Sequence, residues 1–291
     1  MLPLVASLSI LTWNVFMMPR WVHESPGNAE RARAIVEVLR PLDHDILVLE
    51  KVFDGGARDI LRNGLKDKYP YSYGPVNGSG FSLKLNGGVV VLSRIPLTGY
   101  REIQFDDAID VEVFSRKGAM LLSGVKDGQP FQLVATHLQG DEDDAARSRE
   151  VRKLQIDQIE SQLVAAHADP HVPLFVAGDF CLPRWDGAPD SPESAAYRLM
   201  LEVLMVRNGP ERRITLNDTK CPASELGSTC NDLASDGTGR LAELDYILVR
   251  PNGHAVEGHW QRHVFQAPWS VDPFRHDLSY RYAVSARFDW K

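Results

Sequence analysis

The chain has 291 residues, 44% of them hydrophobic and 24% charged, enough to bury the core of one large domain. Its net charge of −7 argues against a nonspecific grip on nucleic acid, which shows as a basic face. No apolar run approaches the roughly 20 residues of a membrane span, and the opening MLPLVASLSILTWNVF lacks a basic n-region, so a full-length chain is expected in the cytoplasm.

In chain order, Leu8–Val15 alternates as a strand. Ala29–Leu39 has helical spacing through Ala32, Ile35, Val36 and Leu39, and Pro41 stops it. Ile46–Phe53 and Gly88–Ser93 are apolar runs suited to buried strands. Met120–Val125 and Phe131–Thr136 flank Asp127-Gly128, a hairpin signal. Asp144–Leu163 reads as a long surface helix, Leu174–Gly178 as a strand and Ser194–Val206 as a helix. Leu244–Arg250 is a strand closed by Pro251-Asn252-Gly253, and Tyr282–Phe288 alternates as the last strand. Hairpins mixed with strand–helix units, without linker or repeat, predict one α/β domain over residues 1–291, with sheets packed under outer helices. Cys221 and Cys230 are expected as two reduced thiols, a small disulfide loop being the alternative.

Six short segments fall at the ends of these elements. They are Leu11-Thr12-Trp13-Asn14-Val15, Leu49-Glu50-Lys51-Val52-Phe53-Asp54, Thr136-His137-Leu138-Gln139, Gly178-Asp179-Phe180-Cys181, Leu244-Asp245-Tyr246-Ile247 and Asp277-Leu278-Ser279-Tyr280-Arg281-Tyr282. Their order and wording, with Gly87-Gly88-Val89 before Ser93-Arg94-Ile95-Pro96, resemble the endonuclease/exonuclease/phosphatase superfamily, and within it the bacterial neutral sphingomyelinases. The resemblance covers essentially the whole chain. It implies a four-layer DNase I-like sandwich, two mixed β-sheets face to face with helices outside, and a site at one end. It also implies a mechanism in which Mg²⁺ on a strand-end Glu polarises a phosphodiester and a His activates water.

By that resemblance Asn14 sits beside the metal and His137 contacts the phosphate. Asp179 orients water or phosphate, and Asp245 pairs with the general base. Four positions depart from the pattern. Lys51 stands where the family has its metal-binding Glu, and Cys181 where it has Asn. Tyr280 and Arg281 stand where it has a metal-side Asp and the general-base His. Shifting the register to Glu50 is not expected to restore the ligand, because adjacent strand residues point to opposite faces. Two unit charges about 4 Å apart interact by about 4 kcal/mol at an effective dielectric near 20, so Lys51 should repel a dication. Arg281 cannot serve as a base.

The residues therefore predict a site without metal. In it Asp179 and Asp245 stay anionic, the Lys51 ammonium pairs with them, and Arg281 pairs with Asp245 or presents a fork to an anion. Substitution of the base by His276 requires a loop rearrangement. Cys181 is read as a small buried thiol rather than a nucleophile. Trp260 and Trp269, beside His254, His259 and His263, are read as packing residues without membrane contact or metal, and Asp141–Asp144 as a solvated loop. The expected function is a non-hydrolytic, sphingomyelinase-like protein that binds an anionic small molecule, a phospholipid headgroup or a protein partner. The alternatives are an active phosphodiesterase with a rearranged site and a purely structural role.

Overall fold

Alternation with period two buries one face of the central strands against the opposite sheet and the other face against helices. The elements run β1 (Ser7–Met17), α1 (Asn28–Leu39), β2 (Ile46–Val52), α2 (Gly55–Leu65), β3 (Tyr71–Tyr73), β4 (Val90–Ser93), β5 (Leu97–Gln104), β6 (Gly118–Lys126), β7 (Gln129–His137), α3 (Ala145–Gln158), β8 (Leu174–Asp179), α4 (Ala195–Val203), β9 (Leu216–Asn217), β10 (Leu241–Ala242), β11 (Asp245–Arg250), β12 (Val256–His263) and β13 (Ala283–Trp290). The structure is a computed structural model that describes residues 6–19, 27–80, 82–140, 145–189, 191–219, 231–234, 238–268, 270 and 275–291.

One sheet has the order β12-β13-β1-β2-β4-β3 and the other β11-β8-β7-β6-β5, each mixed, with β1–β2 and β7–β8 parallel. Ile10, Ile46 and Val48 of the first sheet meet Leu133, Phe175, Ala177 and Ile247 of the second in a core between the sheets. On the outer face of the first sheet, Leu11, Leu47 and Leu49 receive Ile35 and Leu39 of α1 and Leu61 of α2. On the outer face of the second, Val134, Val176 and Leu248 receive Ile156 of α3 and Met200 of α4. These are the four layers expected from the resemblance.

Asp127 and Gly128 both have positive φ, 51° and 80°, as a two-residue hairpin between β6 and β7 requires. The long helix predicted over Asp144–Leu163 is α3, continued by one π-helical segment, Ile159–Val164. The helix predicted to reach Val206 stops at Val203, because Arg207 bridges to Val249 of β11. Six elements have no counterpart in the sequence reading: α2, β5, β12 and the short strands β3, β9 and β10. α2 opens on two glycines and takes its start from Asp54, whose side chain caps Ala57 N–H. β5 and β12 are sheet edges whose solvent faces carry the charged residues that obscure a strand pattern.

Candidate functional site

The inter-sheet core gives way to polar residues at one end. Following Ile10, β1 places Thr12 and Asn14 on the inner face, and following Val48, β2 places Glu50 there. His137 ends β7, Asp179 ends β8, and Asp245 begins β11. Register aligns them, with Asn14 opposite Glu50, His137 opposite Asp179, and Asp179 opposite Asp245. Gly178 permits the close β7–β8 approach beside Asp179. Its φ is 152°, and a Cβ there would lie 1.9 Å from the Thr136 carbonyl oxygen.

Asp179 is the hub of the cluster. Its Oδ2 accepts from Asn14 Nδ2 at 2.8 Å and lies 3.5 Å from Arg281 Nε. Its Oδ1 accepts from the Cys181 N–H at 2.8 Å and the Cys181 thiol at 3.2 Å. Burial alone would raise this carboxyl, but Arg281, the Asn14 amide and the Cys181 N–H outweigh it and hold Asp179 below the usual carboxylate range. Asp245 is the opposite case. Neither of its buried oxygens makes a hydrogen bond of normal geometry, and burial and the Asp179 charge push it far up against weak relief from Arg281 and Thr215. Glu50 accepts from the Thr12 hydroxyl at 2.5 Å through Oε1, leaves Oε2 unpartnered, and is likewise pushed up by burial, with Asp245 and Asp179 adding to the effect. The same cluster therefore favours the carboxylate at Asp179 and the protonated form at Asp245 and Glu50.

The expected charge pairing is corrected at three points. Lys51 does not pair with the two aspartates: its ammonium sits over the Phe16 and Tyr280 rings, 5.3 and 5.0 Å from their centroids. Burial pulls the ammonium down, but Tyr280 and Cys181 overcome this, and Lys51 is held charged. Arg281 takes Asp179 rather than Asp245, and burial and the Asp179 charge push Asp245 up. Glu50, set aside on strand parity, lies on the site's face. The parity rule holds, but the retained family positions share Glu50's side of the sheet, and Lys51 reaches the cluster only by turning through a left-handed φ of 54°.

A profile of the Endonuclease/Exonuclease/phosphatase family matches residues 11–273. The chain belongs to that family. Among curated relatives of this endonuclease/exonuclease/phosphatase member, sphingomyelinase C of Listeria ivanovii is 24% identical over 94% of this chain and 83% of its own length. A sphingomyelinase C of Leptospira interrogans is 28% identical over 87% of this chain, which spans 46% of that protein. Among solved structures, SmcL superposes with a TM-score of 0.83 at 22% identity over 97% of this chain and 99% of the other. Sphingomyelinase C from Streptomyces griseocarneus superposes with a TM-score of 0.79 at 27% identity, with the same coverage. The family's fold is thus shared over nearly the whole chain.

All eight sequence-predicted positions of this family member come together: Asn14, Lys51, His137, Asp179, Cys181, Asp245, Tyr280 and Arg281 are linked through the contacts above and Asn14 Nδ2 to the Tyr280 hydroxyl at 3.1 Å. Sequence reasoning missed Lys117 and Glu112. Lys117 Nζ lies 3.2 Å from His137 Nε2, 2.5 Å from Glu112 Oε1 and 2.7 Å from the Leu138 carbonyl. Nε2 thus accepts and the buried Nδ1 carries the proton without a partner. Burial and Lys117 hold His137 neutral. Lys117-Gly118 opening a buried strand was the available signal.

His276 is engaged through its N–H with Asp232. Cys181 is a buried free thiol pushed up by burial and by Asp179. Trp260 packs edge-on against Phe288 and donates to the Ile247 carbonyl, as a packing residue should. Trp269, Cys221, Cys230 and Asp141–Asp144 lie outside the described residues.

Proposed function

We propose that this chain is a sphingomyelinase-like protein of the phosphodiesterase fold that receives an anionic, phosphate- or carboxylate-bearing group without magnesium and without hydrolysing it. The observation that carries this reading is Arg281. Its Nε faces Asp179, while its buried Nη1 has no partner, and a guanidinium left one face short of acceptors is completed by an oxyanion. Lys51 and Tyr280, both half-buried, stand at the approach. A monoanion would balance the cluster, since Asp179 offsets only one of the two cations Arg281 and Lys51. A phospholipid headgroup and a free small anion both supply that chemistry.

Magnesium does not suit this donor set. It requires near-octahedral oxygen ligands at about 2.1 Å, whereas Asp179 is already shared by Arg281, Asn14 and Cys181, and the Arg281 and Lys51 cations stand at the cluster. The one group of three donors within 4.8 Å of one another among the described residues is His137, Asp179 and Cys181. Its nitrogen, oxygen and sulfur atoms are a poor match for a hard cation. No base is free either: Arg281 does not deprotonate, and His137 Nε2 is occupied by Lys117. Phosphodiester hydrolysis is the second reading, favoured by the retention of Asn14, His137, Asp179 and Asp245 and by the activities named for the relatives.

Calorimetric titration of Mg²⁺ and of sulfate, with choline phosphate release from sphingomyelin assayed on the same protein, separates the two. Sulfate binding without Mg²⁺ binding or release is the expected result. Micromolar Mg²⁺ binding with turnover would overturn it.

A further inference from the structure

The segment that delivers Tyr280 and Arg281 is tied to the short stretch 231–234 by reciprocal hydrogen bonds. Asp232 N–H donates to Asp277 Oδ2 at 2.9 Å, and Asp277 N–H donates to Asp232 Oδ1 at 3.1 Å. His276 N–H donates to Asp232 Oδ2 at 2.6 Å, and Gln266 Nε2 to Asp277 Oδ1 at 3.1 Å. These reciprocal bonds hold the two carboxyl groups side by side, where two negative charges repel and a single shared proton removes the repulsion. Asp277 is 2% exposed.

From this pair the connection to the site is short. Asn231 Nδ2 donates to the Ser279 carbonyl at 2.8 Å, and the Ser279 hydroxyl donates to the Asn14 carbonyl. Asn14 in turn holds Asp179 and Tyr280 through its amide. Against burial and the Asp232 carboxyl, the Asp232 N–H and the Gln266 amide relieve a negative charge on Asp277. Gln266 is neutral, Tyr282 faces both carboxyls, and the Arg262 guanidinium lies over the Tyr282 ring at 5.5 Å. Among the described residues no cation forms an ion pair with Asp232 or Asp277.

We propose that Asp232 and Asp277 form a proton-dependent clasp that sets how firmly the Ser279–Arg281 turn presents its guanidinium to an anion. The functional half of this proposal rests on the anion-binding reading; the clasp itself does not. Burial and the neighbouring Asp232 push Asp277 up to about 7, from an ordinary value of 3.8. The proton is therefore retained below neutrality and lost as pH rises through 7, when the buried Asp277 carboxylate and the half-buried Asp232 carboxylate repel across the turn.

The test uses sulfate, which does not titrate between pH 6 and 8, together with hydrogen exchange of residues 276–281 corrected for its intrinsic pH dependence. In the wild-type protein sulfate should bind about tenfold more weakly at pH 8 than at pH 6, with faster exchange of that segment. Asp277→Asn keeps the acceptor and supplies N–H donors, so its affinity and exchange should match at both pH values. Asp232→Asn removes the repulsion from the other partner and serves if the first variant folds poorly. A pH step that survives both substitutions, or wild-type exchange and affinity unchanged between pH 6 and 8, would overturn the clasp. Exchange that responds to pH while sulfate binds at neither would sink the anion-binding reading and leave the clasp standing.

Discussion

Asp179 and Asp245 face each other across the β8–β11 register, yet their carboxyl groups are pushed in opposite directions, Asp179 down and Asp245 up. The difference is Arg281, whose Nε lies 3.5 Å from Asp179, while at Asp245 burial and the Asp179 charge outweigh the relief it gives. Arg281→Met should therefore strand a buried charge and destabilise the fold by about 3–5 kcal/mol at neutral pH. Adding Asp179→Asn should recover much of that loss. Urea unfolding of the two single variants and the double variant checks this, and additive losses would contradict it.

Gly178→Ala should be among the most damaging single changes in the chain. The added carbon would meet the Thr136 carbonyl oxygen at 1.9 Å, at a φ that side chains avoid. A loss of about 4 kcal/mol, or no soluble protein, is expected. An unfolding midpoint within a few degrees of wild type would show that β7 and β8 are not so closely apposed.

Stability should also fall on acidification through a pair of imidazoles, His44 and His263. The His44 and His263 rings lie 5.8 Å apart, and burial, with His263 adding to it, lowers His44 to about 4 from an ordinary 6.5. Asp45 and Asp43 oppose the shift, and Lys68 adds to it. Between those values the unfolded chain binds the proton and the folded chain does not, so stability declines as pH drops from 6.5 to about 4 and the deficit is complete below that. His44→Gln should shrink the difference between unfolding free energies at pH 7 and pH 4.5. An unchanged difference would assign the acid sensitivity elsewhere.

The Cys181 thiol should be inert in the folded protein. It is 4% exposed and pushed far above its ordinary range by burial and by Asp179, so little thiolate forms at neutral pH. Peptide mapping after iodoacetamide treatment should find Cys181 unmodified until denaturant is added. Rapid alkylation of the native protein would instead reveal an activated sulfur.

The layered fold and the ends of β1, β7, β8 and β11 were readable in the sequence, because apolar periodicity and six strand-end segments report local structure directly. Charge partnership was less readable. Lys51 and Arg281 both read as cations beside two acids, but which cation meets which acid depends on backbone direction. A left-handed φ at Lys51 sends its ammonium to Phe16 and Tyr280, and nothing in Leu49-Glu50-Lys51-Val52 announces it. Glu50 was lost for a related reason. Alternation says that two neighbours differ, not which of them faces the cleft. Lys117 comes from a different strand, and only the β6–β7 pairing brings it beside His137.

The Arg281–Asp179 contact also constrains the routes by which this cleft can change. Replacing Arg281 alone frees a buried carboxylate, whereas placing an acid at position 51 first removes a cation and adds an acid beside Asp179, Asp245 and Glu50, two of which are already pushed up. Either order passes through a poorly folding intermediate, while simultaneous replacement passes through neither. Sequence change here is therefore ratcheted: drift at one cluster position is tolerated only after its neighbour has moved. Descendants of this chain should vary freely around the cluster long before they vary within it.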